Sequence, residues 1–104
     1  MVHEFTGFLK ELIDLARRGT ARDVDAIMVH LTRKSSLAMT RFVDFALSQV
    51  RTPEGKDRIA HYLFHGSRIQ RNYASLYLNR DGEWKLVKQA FEQGLIDEIQ
   101  AFAR

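Results

Sequence analysis

The chain has 104 residues, 45% hydrophobic and 28% charged, with a formal net charge of +3 and no cysteine. That length fits a single domain that buries about 65% of its unfolded surface, so a core forms without metal or disulfide staples. The composition argues against a chain disordered throughout. The missing thiols exclude a disulfide framework, a cysteine nucleophile and cysteine zinc ligation, and +3 is too small by itself to argue for nucleic acid.

The chain begins MVHEFTGFLKELIDL. Acidic residues interrupt it early, and it reads as neither a secretory signal nor a membrane span; a cytoplasmic location is expected. Phe5, Phe8, Leu9, Leu12, Ile13 and Ala16 recur at helical spacing, opposite Lys10, Glu11, Asp14 and Arg18. This predicts an amphipathic first helix that stops near Gly19. Thr20 with Asp23 three residues on has the form of a capping box for a second helix, whose apolar stripe is Val24, Ile27, Met28 and Leu31.

Ser35 is placed to cap a third helix, expected to bury Ala38, Met39, Phe42, Phe45, Ala46 and Gln49 or Val50. Thr52-Pro53-Glu54 marks the start of a fourth: a cap oxygen, a proline suited to the first helical position, and a negative charge favoured by the helix dipole. This helix is expected to run to about His65. Gly66-Ser67 is then a short joint, with Ser67 capping a fifth helix over Arg68–Asn79. Asp81 is the expected cap of a sixth helix, Glu83–Gln93, ended by Gly94. A seventh helix is expected over Leu95–Phe102, with Leu95, Ile96, Ile99, Phe102 and Ala103 inward. The fold class expected is therefore all-α, with six or seven short helices, sequential neighbours antiparallel across short joints.

Helix starts near residues 20, 52 and 82 recur about every 30 residues, as in arrays of two-helix repeats. The stretch RIQRNYASLYLNRDGEWKLVKQAF, residues 68–91, carries an arginine, then Ala74, Leu76 and Leu78, then Gly82 and Val87. It resembles the second helix of a HEAT repeat running into the next, over about a quarter of the chain. The resemblance implies an α-solenoid; an irregular compact helical bundle is the alternative.

Charge is unevenly distributed. No carboxylate occurs from Arg58 to Arg80, nor from Ala26 to Val43, where Arg33, Lys34 and Arg41 lie. On the fifth helix, Ile69, Tyr73, Leu76 and Tyr77 share about 100° of the wheel and are expected in the core, with Ala74 and Leu78 widening the arc. Arg68, Arg71, Asn72, Ser75 and Asn79 form the opposite stripe. On the fourth helix Arg58, His61 and His65 line up away from Ile59, Leu63 and Phe64. The candidate partner-binding surface is thus Arg58, His61, His65, Arg68, Arg71 and Asn72; the bland alternative is a solvated face paired with neighbouring carboxylates.

HYLFH has the spacing of the zinc-protease motif, but Tyr62 stands where that chemistry needs glutamate. Two histidines do not close a metal site, and the sequence places no third ligand among His30, Glu54 and Asp57. Neither a glycine-rich phosphate loop nor a nucleophile elbow is present. We therefore expect no metal, no cofactor and no catalysis. The expected function is a protein-interaction module whose basic helix face meets an acidic partner surface. The alternative is a nucleic-acid-binding protein that contacts phosphates through Arg33, Lys34, Arg41, Arg58, Arg68 and Arg71, as some HEAT-like folds do.

Overall fold

The computed structural model describes residues 7–104. Among them are seven helices and no strand, so the chain is all-α as the periodicity predicts. The helices are α1 (Gly7–Arg18), α2 (Ala21–Met28), α3 (Leu37–Leu47), α4 (Pro53–His65), α5 (Arg68–Arg80), α6 (Trp84–Glu92) and α7 (Glu98–Phe102). Phe5 lies outside the described residues. The chain forms two compact units, one reaching to Lys56 and the other running from Asp57 to Arg104. In the first, α1 packs on α2 and α3, which also pack on each other; in the second, α5 packs on α6 and α7 in the same way.

In the first unit α1 buries Leu12, Ile13 and Ala16. Gly19 ends it in a left-handed conformation (φ +66°), its N–H donating to the Leu15 carbonyl at 2.9 Å. Only glycine takes that conformation without strain. The Thr20–Asp23 capping box then forms as predicted, and Arg18 Nη2 reaches Asp23 Oδ1 at 3.2 Å. Thr52 Oγ1 donates to the Gly19 carbonyl (2.6 Å) and accepts from the Gly55 N–H (3.0 Å), so one hydroxyl caps α4 and anchors the α1–α2 turn. A Cβ at Gly55 would come within 2.5 Å of Val50 Cγ1 and 2.9 Å of the Gly19 carbonyl, so the close approach requires glycine. Glu54 Oε2 accepts from the Ala21 N–H at 2.7 Å, supporting the start of α2 rather than its own helix alone.

Two expectations for α3 are corrected. The cap is Ser36, whose Oγ accepts from Met39 N–H at 3.0 Å, while Ser35 Oγ donates to the His30 carbonyl at 2.6 Å. The inward face is Thr40, Val43, Ala46 and Leu47, continued by Val50. Ala38, Phe42 and Phe45 face out, with Phe45 42% exposed and Leu47 fully buried. Apolar residues occur all round this helix, so periodicity does not select the face; packing against α1 and α2 does.

In the second unit Ser67 and Gln70 close a capping box at the start of α5. Asp81 is the C-cap of α5, not the cap of α6, which begins after Glu83 with no side-chain cap. The last helix is shorter than predicted. Asp97 and Gln100 form a capping box, so the helix begins at Glu98 and Leu95-Ile96 precede it. Ile96 is buried, but Ile99 and Phe102 face outward. A local cap outweighed the apolar run in setting the helix start.

Candidate functional site

The predicted surface divides into two clusters. On α4, Arg58 lies with its guanidinium carbon 5.6 Å from the Tyr62 ring centroid, a cation–π geometry one turn apart. His61 and His65 are both exposed, their rings 4.7 Å apart and tilted by 33°. Among the described residues, no group of three or more His, Cys, Asp or Glu could hold a metal ion.

The second cluster is Arg68, Arg71 and Asn72 on the first turns of α5. They line one wall of a polar cleft of about 260 Å³, opposite Gly94–Asp97 and Gln100. Arg68 is exposed, whereas Arg71 and Asn72 are half-buried. Arg71 Nε donates to the Leu95 carbonyl at 2.7 Å and Nη1 to the Gly66 carbonyl at 3.0 Å. These carbonyls lie outside regular helix, and a charged donor satisfies them well.

The polar stripe of α5 therefore grades from exposed Arg68 at its start to buried residues at its end. Ser75 and Asn79 are buried, while Ile69, Tyr73 and Leu76 are only half-buried. Ser75 Oγ donates to the Asn72 carbonyl, and Asn79 Nδ2 reaches the carbonyls of Ala101 (3.0 Å) and Ala103 (2.8 Å). Arg71 and Asn79 are drawn inward because they supply donors to carbonyls of the C-terminal backbone, whereas Ser75 is satisfied within its own helix. Arg33, Lys34 and Arg41 are exposed in the first unit.

An apolar groove of about 450 Å³ escaped the sequence reading. It is lined by Asn79, Trp84, Lys88, Phe91, Glu92, Ala101, Phe102 and Arg104. Trp84 Nε1 donates to the Asn79 carbonyl at 3.3 Å, and the Arg104 guanidinium lies 5.2 Å from the Trp84 ring centroid. The available signal was the width of the apolar arc on α6: Trp84 and Phe91, seven apart, extend it beyond the buried Val87 and Ala90. No helix is long and apolar enough to cross a membrane among the described residues. No family model matches the chain, and neither a curated protein nor a solved structure matches it.

Proposed function

We propose that the chain is a non-enzymatic protein-interaction module that presents the basic face of α4 and the start of α5 to an acidic partner surface. The observation that carries this reading is the pairing of charge with exposure. The segment from Arg58 to Arg80 contains no carboxylate of its own, and His61, His65 and Arg68 are all exposed there. Arg71 is engaged with two backbone carbonyls, so its part is to hold the cleft on which Arg68 stands. Arg68 is free to make bidentate contacts to carboxylates. The resemblance of residues 68–91 to a HEAT repeat supports the same reading by fold analogy.

The test is affinity capture from the native cell, with nuclease treatment, comparing the wild type with Arg68→Glu/His65→Glu. Both positions are exposed, so the helical spectrum should be unchanged. A protein retained after nuclease and lost by the variant is the expected result. Full retention by the variant rejects the surface. Loss on nuclease treatment, with affinity falling steeply with salt, favours the nucleic-acid alternative; a protein partner gives the shallower salt dependence of rim charges.

A further inference from the structure

We infer that the α6–α7 groove is closed by a second copy of the chain, in an isologous contact that crosses α6 of one copy against α6 of the other. In the second unit the exposed large apolar side chains concentrate on these two helices: Trp84 (57% exposed), Phe91, Ile99 and Phe102 (73%). At 100° per residue, Trp84, Lys88, Phe91 and Glu92 share an arc of about 100° that forms the groove-facing stripe of α6, flanked on the Phe91 side by the buried Val87 and, further round, Ala90. An apolar patch rimmed by charge in this way is the mark of an association surface.

The charges identify the occupant. Lys88 and Glu92 stand one turn apart on the stripe, and neither makes an ion pair with a described residue. A uniformly acidic partner would be repelled by Glu92, and a uniformly basic one by Lys88 and Arg104. A second copy answers both. With α6 antiparallel to its copy and the two-fold axis crossing the exposed stripe at the level of residue 90 along the helix, each Lys88 faces the other copy's Glu92, and the two Phe91 rings meet beside the axis. Isologous contacts of this kind close on themselves and do not propagate.

The experiment is sedimentation of the whole chain from about 1 to about 500 µM, a range that spans the usual dissociation constants of small homodimers. Emission from Trp84, the sole tryptophan, is recorded in parallel. The expected result is a concentration-dependent dimer whose formation shifts Trp84 emission to the blue. Lys88→Glu alone, or Glu92→Lys alone, creates two like-charge contacts by symmetry and should weaken the dimer by about tenfold. The double reversal Lys88→Glu/Glu92→Lys should restore it. All three variants alter exposed positions, so circular dichroism should be unchanged. A monomer at every concentration overturns the inference. So does a dimer indifferent to the single reversals, or one whose loss the double reversal does not repair.

Discussion

Arg71 Nε donates a 2.7 Å hydrogen bond to the carbonyl of Leu95, 24 residues further along the chain. The same guanidinium reaches the Gly66 carbonyl through Nη1, so one side chain ties the α4–α5 joint to the segment before α7. Arg71→Ala removes both donors and leaves two carbonyls less satisfied. The expected loss is about 3 kcal/mol, since hydrogen bonds from charged donors contribute about 1.5–3 kcal/mol each and share one side chain here. Arg71→Lys should recover part of it, because an ammonium lacks the planar fork. Urea unfolding followed by circular dichroism measures both; an unchanged midpoint for Arg71→Ala would refute the tie.

Asn79 does the same work at the C-terminal end. Its amide donates to Ala101 and Ala103 while the residue is 5% exposed. Asn79→Asp sets a carboxylate against carbonyl oxygens and should cost about 2–4 kcal/mol, with faster amide exchange in α7. Asn72→Asp, half-buried on the same helix, should stay within about 1 kcal/mol of wild type. Equal losses would show that burial of Asn79 does not matter.

The two faces of α3 give a direct contrast. Leu47 is fully buried and Phe45 is 42% exposed. Leu47→Ala should destabilise by about 2–5 kcal/mol through lost contacts and a cavity. Phe45→Ser should cost well under half as much, about 1 kcal/mol or less. If Phe45→Ser proves the more damaging in thermal unfolding, the outward face has been misassigned.

Asp23 supplies a pH dependence. Burial by itself would raise its carboxyl pKa, but hydrogen bonds from the Thr20 hydroxyl and N–H, then the Arg18 guanidinium, outweigh it and hold the group below its ordinary value. The folded state thus favours the carboxylate. Its stabilising contribution is complete above the unfolded pKa of about 3.9 and is lost as pH falls through the lower folded value. The stability gap between wild type and Asp23→Asn should be constant near neutrality and narrow below about pH 3.9. A gap that widens on acidification would reverse the assigned sign.

The helices and most of their starts were legible from residues alone. Thr20 with Asp23, Ser67 with Gln70, and Thr52 with the Gly55 N–H each close hydrogen bonds within four residues, and Gly19 ends α1 through a bond to Leu15. Such bonds need no distant neighbour, so local chemistry is sufficient to place them. Where apolar residues ring a helix, as on α3, the inward face depends on which helices pack beside it, and Val43 and Leu47 lie inside where Phe42 and Phe45 were expected. The α5 stripe shows the converse. Arg71 and Asn79 read as part of a solvated face until the carbonyls of Leu95, Ala101 and Ala103 are brought against them. A buried donor and an exposed one are the same letter in the chain; the acceptor that separates them lies more than twenty residues away, and only packing brings it near.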